Sequence, residues 1–470
     1  MTALWTRDEA AAATGGRATG AFAATGVSID TRTLEPGDLF IALEGPRVDG
    51  HNFVKDAFAQ GACAAMVHRR SPDGDDNELP LLIVPDTMAA LGGLGAAARK
   101  RSGARVVAVT GSVGKTGTKA ALGAALGRLG TTHASRGNLN NQWGVPLSLA
   151  RLPPAAHFAV FELGMNHAGE IAALSRLVRP DVAVITTIEP AHLGFFPSID
   201  AIADAKAEIF LGMAPGGAAI LNRDNAWFAR LAAAARAAGL ERILGFGSDS
   251  EAAIRLVDCH LHATASAVTA SVEGRLIDYC LAQPGRHWVM NSLAVLGAVE
   301  ALGGDVDAAA VAFATLAPMA GRGRRHRIAL AGGCAELIDD SYNASPASIR
   351  AMLEVLAAAK PEPGGRRIAV LGDMLELGPR SAELHAALAA PIADAGIDLV
   401  FTVGAEMAPL DAALPAHRRG GHWRDAVAVA DALVARLRPG DVVAVKGSHG
   451  LRLDRVVDRL VAASAVPAKG

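Results

Sequence analysis

The sequence has few aromatic residues and no excess of either charge. Aromatic side chains make up 4% of the 470 residues, too few for the stacking platforms that bind single-stranded nucleic acid. Lys and Arg number 45 against 47 Asp and Glu, so no broad basic field favours nucleic acid as a partner. No window of about 18 residues is both apolar and uncharged, so we expect no membrane span.

Cysteine is also scarce, and the way the cysteines are distributed indicates the cellular compartment of the protein. Cys63, Cys259, Cys280 and Cys334 are scattered and form no C-x-x-C pair, a pattern typical of reduced thiols in a cytoplasmic protein. The opening M-T-A-L-W-T-R-D-E-A has acidic residues where a secretory signal needs an apolar core. We therefore expect a cytoplasmic protein, and a chain of this length predicts about three domains.

The most informative stretch is R-V-V-A-V-T-G-S-V-G-K-T-G-T-K, residues 105–119. Its apolar, β-branched start predicts a buried parallel strand, its glycines predict a turn, and residues 119–129 predict a helix. This arrangement presents backbone N–H groups and a helix N-terminus to phosphate. Lys115 would neutralise terminal phosphates, and the Thr116 hydroxyl would hold magnesium. The turn is the short T-G-x-x-G-K-T form, and we expect it to bind a nucleoside triphosphate.

The order of predicted elements indicates an α/β fold with three domains. Residues 1–102 combine short strands and helices, among them a strand at residues 64–67 and a helix over residues 88–101, in a smaller N-terminal α/β domain. Residues 103–320 alternate strands and helices around the phosphate turn, which predicts a central P-loop ATPase domain with a mostly parallel sheet. Within it, residues 218–284 read as an antiparallel excursion with a turn at Glu273-Gly274. Residues 321–470 repeat the strand–helix pattern, including a helix predicted over residues 381–390, without a G-K-T turn, as in a doubly wound, Rossmann-like C-terminal domain.

Two polar residues follow predicted strands of the central domain. Glu162 ends the strand predicted over residues 158–161, and His192 follows the strand predicted over residues 182–188. Ligands gather at the carboxyl ends of parallel strands, so both are candidate ligands of a phosphate-bound metal or, alternatively, loop-capping residues. The arginine-rich run at residues 321–327 is either a solvated linker or a phosphate contact.

Several motifs together resemble the Mur ligase family over nearly the whole chain. Besides T-G-S-V-G-K-T, they are G-N-L-N-N-Q-W-G-V-P (137–146), E-L-G-M-N-H-A-G-E-I (162–171), A-K-A-E-I-F (205–210) and G-R-H-W-V-M-N (285–291). Three more resemble the members that add D-alanyl-D-alanine: D-D-S-Y-N-A-S-P (339–346), L-G-D-M-L-E-L-G (371–378) and V-K-G-S (445–448). The Asp-Asn-Pro-Arg motif of the diaminopimelate-adding members does not occur in the sequence.

The resemblance implies an ATP-dependent ligase of peptidoglycan precursor synthesis. Such an enzyme joins D-alanyl-D-alanine to UDP-N-acetylmuramoyl-tripeptide through an acyl phosphate, and it uses ATP with two Mg²⁺ ions. It also implies a carbamylated Lys206, and we expect the enzyme to be a monomer. From the residues alone, Lys206 reads instead as a solvated lysine that pairs with Asp204 or Glu208.

The resemblance also implies a role for each candidate residue. The implied catalytic residues are Lys115, Glu162, His192 and Lys206, and the implied metal ligands are Thr116, Glu162, His192 and Lys206. The implied ATP-binding residues are Gly111, Ser112, Val113, Gly114, Lys115, Thr116, Gly117, Asn291, Arg322, Asp340, Tyr342 and Asn343. Ser28, Thr31 and Arg32 would contact the uridine diphosphate, and Asn138, Asn140 and Asn141 would stand near the peptide.

Two other classes of protein remain to be distinguished. A P-loop switch or transport ATPase would hydrolyse ATP without a second substrate, whereas a ligase needs both peptide substrates. A non-catalytic nucleotide-binding scaffold descended from a ligase would be expected to have lost Lys115, Glu162 or His192, and all three are present.

Overall fold

Residues 3–71, 78–191 and 193–464 are described by a computed structural model of the chain. They form three successive α/β regions, each built around a sheet of its own. The predicted fold class is therefore confirmed. Among these residues, no helix combines the length and the apolar character needed to cross a membrane.

The first region is a small mixed sheet backed by one long helix. Strands β4 to β7 pair in parallel, and β2 joins β7 antiparallel at the edge. The long helix α3 is capped by Asp86, whose carboxylate accepts hydrogen bonds from the N–H groups of Met88 and Ala89. The elements are β1 (Trp5–Thr6), α1 (Arg7–Thr14), β2 (Arg17–Ala18), β3 (Ala23–Ala24), β4 (Gly26–Ser28), β5 (Asp38–Ile41), α2 (Val54–Ala59), β6 (Ala64–Val67), β7 (Leu81–Ile83) and α3 (Thr87–Arg101).

The second region holds the phosphate turn in the middle of its sheet. The strand order is β16-β15-β14-β13-β12-β11-β8-β10-β9, parallel from β9 through β14. Its elements are β8 (Arg105–Thr110), α4 (Lys115–Gly127), β9 (Thr132–Ala134), α5 (Gly144–Ala150), β10 (Phe158–Glu162), α6 (Glu170–Val178), β11 (Val182–Ile185), α7 (Ile199–Ala207), β12 (Ala218–Asn222), α8 (Phe228–Ala237), β13 (Arg242–Gly247), β14 (Ile254–Leu261), β15 (Ser266–Val272), β16 (Arg275–Leu281), α9 (Arg286–Ala301) and α10 (Val306–Ala310).

Two sequence predictions for this region are wrong in their bounds. The antiparallel excursion does not begin at residue 218, because β12 and β13 still pair in parallel around α8, and only β14 to β16 form the antiparallel meander. The helix after the turn begins at Lys115 rather than Lys119, since Gly114 caps it with a left-handed φ of 89°. The turn predicted at Glu273-Gly274 is confirmed, with φ values of 47° and 91° that suit a tight hairpin.

The third region is a second doubly wound layer with one antiparallel edge strand. Its strand order is β17-β18-β22-β19-β20-β21, and only β17 runs antiparallel to its neighbour. The elements are β17 (Arg324–Leu330), β18 (Gly333–Asp339), α11 (Pro346–Ala358), β19 (Arg367–Gly372), α12 (Ser381–Ala386), α13 (Ala389–Asp394), β20 (Leu399–Val403), α14 (Ala408–Ala413), β21 (Arg419–Trp423), α15 (Ala426–Val434), β22 (Val442–Lys446) and α16 (Asp454–Ser464).

Two predictions for the third region also need correction. The arginine-rich run is no linker beyond Gly323, because Arg324 begins the edge strand β17, where outward charges discourage pairing with other chains. The single helix predicted over residues 381–390 is two short helices, α12 and α13. The break falls at residues 387–388, because Pro391, in the first turn of α13, has no N–H to donate to the carbonyl of Ala387.

The three regions are joined by specific contacts. Trp5 is 1% exposed, and its indole N–H donates to Ala150 O at 2.8 Å, which fixes the first region to the second. The second and third regions meet where Gly194 N donates to Glu376 O at 2.8 Å. The boundaries predicted at residues 102 and 320 fall after α3 and before β17, and they stay predictions.

Candidate functional site

The phosphate turn is held against the loop that follows β11. Gly111 has a φ of 144°, and a Cβ there would lie 1.9 Å from Thr186 Oγ1, so only glycine fits. Thr186 Oγ1 donates to Val113 O at 2.5 Å, and Ser112 N donates to Thr187 O at 2.8 Å. These bonds fix the backbone of the turn before any ligand binds.

Lys115 occupies the first position of helix α4, next to its free N–H groups. Its ammonium donates to Gly111 O at 2.7 Å and to Ser112 O at 3.4 Å, so it lies folded over the turn. Burial lowers the pKa of Lys115, while the nearby Glu162 carboxylate opposes that shift. A cation in this position suits the terminal phosphates of a nucleotide.

Gly117 and Asn291 shape the wall behind the turn. A Cβ on Gly117 would lie 3.0 Å from the Trp288 ring, and a Cβ on Gly114 would lie 2.8 Å from Asn291 Oδ1. Helix α9, which carries Trp288 and Asn291, therefore packs directly on the glycines of the turn. This contact places the predicted residue Asn291 beside the phosphate turn.

Glu162 lies buried at the carboxyl end of β10 and is 2% exposed. Its Oε1 accepts hydrogen bonds from Asn140 Nδ2 at 2.8 Å and from Thr116 Oγ1 at 3.2 Å. Its Oε2 accepts no hydrogen bond from the described residues, although Lys119 Nζ lies 3.4 Å away. A buried carboxylate that has one oxygen free of hydrogen bonds and lies next to the Thr116 hydroxyl fits a Mg²⁺ ion, which prefers oxygen ligands.

The protein supplies only part of a metal shell here. In the described ranges, no group of three or more His, Cys, Asp and Glu side chains could hold a metal alone. Mg²⁺ in nucleotide sites is typically held by one or two protein oxygens together with phosphate oxygens. Thr116 and Glu162 match that pattern. His192, the other predicted ligand, lies outside the described residues.

Lys206 is one of the most buried side chains of the protein, at 1% exposure. The solvated interpretation is wrong, because Asp204 pairs with Arg230 at 2.6 Å and Glu208 accepts from Gly169 N at 2.6 Å. Within the described ranges, no side chain or backbone group forms a hydrogen bond or an ion pair with the Lys206 amine. Burial lowers the pKa of Lys206 well below its usual range, and the positive charge of Lys115 adds to the effect.

The third region supplies the opposite wall of the site. The Arg322 guanidinium lies 4.3 Å above the Tyr342 ring, a cation–π contact. Lys446 Nζ donates to Asp340 Oδ2 at 2.7 Å, and burial raises the pKa of Asp340 although the ammonium opposes it. Asp339 accepts from Gly321 N at 2.8 Å, which ties the arginine-bearing turn to the end of β18.

Between these walls lies a cleft of about 1370 Å³. It is large enough for a nucleotide and part of a second substrate. The structure brings a set of predicted residues from the second and third regions to it: Ser112, Val113, Gly114, Lys115, Thr116, Gly117, Asn138, Asn140, Asn141, Glu162, Asn291, Arg322, Asp340, Tyr342 and Asn343.

The predicted uridine-contacting residues are not brought to this cleft. Ser28 is buried at the end of β4, and its hydroxyl donates to Asp30 O at 3.0 Å. Thr31 follows in a short 3₁₀ turn, and the exposed Arg32 pairs with Asp30 at 2.6 Å. Asn141 also has a structural task, since its Oδ1 accepts from Gly144 N at 3.0 Å at the start of α5. Their binding roles stay predictions.

Sequence reasoning missed three residues that the structure places at the site. Lys119 is buried beside Glu162, Thr186 supports the turn, and His287 lines the cleft with a pKa lowered by burial to about 4. A signal for Lys119 was available: it lies three positions after Thr116, on the same helix face. Thr186 gave no comparable signal, because its role depends on contacts between separate strands.

A phosphate turn in one domain faces cationic and aromatic side chains of another across a cleft. This arrangement defines a multidomain enzyme that works on a nucleoside triphosphate between its domains.

Comparison with known proteins identifies the family. Residues 23–99 match the model described as the Mur ligase family catalytic domain, residues 109–299 the Mur ligase middle domain, and residues 323–449 the Mur ligase glutamate ligase domain. The UDP-N-acetylmuramoyl-tripeptide–D-alanyl-D-alanine ligase of Escherichia coli (strain K12) is 38% identical over 436 residues, which cover 92% of this chain and 93% of that protein. The enzyme of the same name from Rickettsia prowazekii (strain Madrid E) is 34% identical, covering 92% and 94%.

Solved structures agree with the sequence matches. A crystal structure of MurF from Acinetobacter baumannii superimposes with a TM-score of 0.84 at 31% identity, covering 97% of this chain and 99% of that one. The MurF ligase of Thermotoga maritima in complex with ADP gives a TM-score of 0.76 at 27% identity, covering 93% and 97%. The chain belongs to the Mur ligase family.

Proposed function

We propose that this chain joins D-alanyl-D-alanine to UDP-N-acetylmuramoyl-tripeptide at the expense of ATP. The products are UDP-N-acetylmuramoyl-pentapeptide, ADP and phosphate, and the product serves peptidoglycan synthesis. The observation that carries the proposal is the cleft, in which Lys115 and Glu162 of the central domain face Arg322 of the C-terminal domain. The names of the Escherichia coli and Rickettsia prowazekii relatives support this choice of substrates.

The chemistry requires an activated carboxyl group, because a carboxylate is a poor acylating agent at neutral pH. An oxygen of the tripeptide carboxylate attacks the γ-phosphorus, and ADP leaves with the bridging oxygen. The dipeptide amine then attacks the acyl carbon, loses a proton, and displaces phosphate together with that carboxylate oxygen. Positioning and charge neutralisation account for most catalysis of such a transfer.

The cleft residues have distinct tasks in these steps. Lys115 and the N–H groups that open α4 would hold the triphosphate and neutralise charge that develops on the transferred group. Arg322 and Tyr342 would hold the nucleotide from the C-terminal domain, with Asn291, Asp340 and Asn343 around it. Closing the two domains on each other would keep water from the acyl phosphate.

Metal ions and a modified lysine complete the proposal. Thr116 and Glu162 would hold one Mg²⁺ on the nucleotide, and Lys206 and His192 would serve a second. Bound Mg²⁺ supplies neutralising charge to the phosphate and carboxylate oxygens. The lone pair of the uncharged Lys206 amine would add to carbon dioxide, and loss of one proton leaves a carbamate anion. Burial of Lys206 favours that uncharged amine.

The remaining assignments concern the substrates and the setting of the reaction. We assign the uridine diphosphate to Ser28, Thr31 and Arg32 in the first domain, and the peptide to the loop that carries Asn138, Asn140 and Asn141. We further propose a monomeric enzyme of the cytoplasm. Size-exclusion chromatography and cell fractionation test these last two points.

A substrate-omission assay tests the proposed function. Purified enzyme is given ATP and Mg²⁺ with both peptide substrates, with either alone, or with neither, and ADP release is followed. We expect ADP release only with both substrates, and one pentapeptide per ADP by mass spectrometry. Equal ADP release with ATP alone would instead identify a P-loop ATPase. Tripeptides with diaminopimelate or lysine at the third position show which one the enzyme prefers.

A further inference from the structure

Lys119 is a buried cation that the reaction scheme above does not use. It lies on α4 one turn beyond Thr116, and its side chain is 6% exposed. Further along the helix, Leu122 and Leu126 are fully buried in the apolar core. A lysine enclosed at this depth needs polar partners, because burial of an unpaired charge is costly.

The partners of Lys119 connect two parts of the site. Its Nζ donates to Gly137 O at 2.5 Å and lies 3.4 Å from Glu162 Oε2. Asn140, in the same loop as Gly137, donates to the other oxygen of Glu162 at 2.8 Å. Both oxygens of the carboxylate are therefore linked to the loop of residues 137–140, one directly through Asn140 and one through Lys119.

We propose that Lys119 is a positioning residue that holds the Glu162 carboxylate and the 137–140 loop in one fixed arrangement. The proposal rests on the proposed function, in which Glu162 serves the metal and this loop serves the peptide. Lys115 does not provide the same support, since its ammonium is directed to Gly111 O and Ser112 O. Lys119 thus supplies the counter-charge of Glu162 while no metal is bound.

A double-mutant cycle on melting temperature tests the pairing without metal or activity. We expect Lys119→Met to lower the melting temperature in buffer containing EDTA, because Glu162 loses its counter-charge. Lys119→Met combined with Glu162→Gln should recover most of that loss, since the pair is then neutral. Lys100→Met, at an exposed position of α3, is the matched control and should melt like wild type. Additive losses in the double variant would overturn the proposal.

Kinetics test the consequence for the site. We expect Lys119→Met to reduce kcat at least tenfold with the KM for ATP changed less than threefold, and Lys119→Arg to retain more activity than Lys119→Met. A kcat within twofold of wild type in Lys119→Met would overturn the positioning role. If Lys119→Met is insoluble, Lys119→Gln is compared with Lys119→Arg, since both can donate to Gly137 O and only Arg is charged. Equal kcat values in that pair would also refute the proposal.

The two measurements separate this inference from the proposed function. If wild-type enzyme makes no pentapeptide, the proposed function fails, and the melting cycle alone decides whether Lys119 supports Glu162. If wild type is active and the cycle is additive, the proposed function stands and the inference about Lys119 fails.

Discussion

Lys206 offers a test in which stability and activity change in opposite directions. Lys206→Met replaces the amine by a thioether of similar length in a site that is 1% exposed. If Lys206 becomes a carbamate that supports a metal, the variant loses a ligand and kcat should fall by about 10²–10³-fold, the cost of removing one preorganised transition-state contact. Lys206→Glu supplies a shorter carboxylate and should recover part of the rate.

The expected gain in stability follows from the burial of the amine. Burial forces the amine to give up its proton on folding, and replacing a buried ionisable group by an apolar group of similar volume is neutral or stabilising by about 1–4 kcal/mol. A gain of about 1–2 kcal/mol raises the melting temperature by roughly 2–8 °C for a domain of this size. The measurement is differential scanning fluorimetry in metal-free buffer purged of carbon dioxide, beside ADP release in complete buffer.

The pH dependence of that gain gives a further check. Burial lowers the pKa of Lys206 from 10.5, so the unfolded chain binds a proton that the folded protein does not. Stability contributed by Lys206 is therefore fully present above about pH 10.5 and is lost as pH falls toward the lowered pKa. The advantage of Lys206→Met should grow as pH falls from 10 to 7. An active Lys206→Met enzyme, or one that melts well below wild type, would refute this reasoning.

Three further predictions concern other residues. Glu162→Gln should reduce kcat by about 10²–10³-fold with the fold intact by circular dichroism; a lower melting temperature with normal kcat would mean a structural role only. Arg322→Ala and Asn343→Ala should each raise the KM for ATP and leave UDP-substrate affinity nearly unchanged, and an unchanged KM for ATP in both would remove them from the site. Burial lowers the pKa of His133 to about 4, so between pH 6.5 and 4 only the unfolded chain gains its proton. Over that range, the unfolding free energy of wild type should therefore fall by about 3 kcal/mol more than that of His133→Phe, as measured by urea titration. Equal decreases in the two proteins would contradict the lowered pKa of His133.

The sequence predicted the elements whose signal is local. The strand at residues 64–67 is predicted without error, and α3 begins one residue before the predicted start, because their apolar patterns are unbroken. The phosphate turn is predicted from Lys115 and from its glycines, of which Gly111 and Gly114 have the positive φ that the turn needs. Boundaries are wrong where a single backbone feature decides them, as at Gly114 before α4 and at Pro391 in the first turn of α13.

The contacts between distant segments could not be predicted from the sequence. Thr186 supports the turn only because β11 lies beside β8 in the sheet. The sequence suggests that Lys206 pairs with a neighbouring carboxylate along the chain. In the structure, packing buries Lys206, and Asp204 pairs with Arg230 on α8 instead. The sequence pattern predicts which face of α7 is apolar. It does not predict which helix packs against the opposite, polar face.

Transfer of an isotopic label tests most directly whether the cleft activates a carboxylate with ATP. The tripeptide substrate is prepared with ¹⁸O in its terminal carboxylate and incubated with enzyme, ATP, Mg²⁺ and D-alanyl-D-alanine. The account predicts one ¹⁸O atom in the inorganic phosphate for each pentapeptide formed, because the carboxylate oxygen leaves bound to phosphorus. Pentapeptide formation with unlabelled phosphate, or phosphate release without pentapeptide, would contradict it.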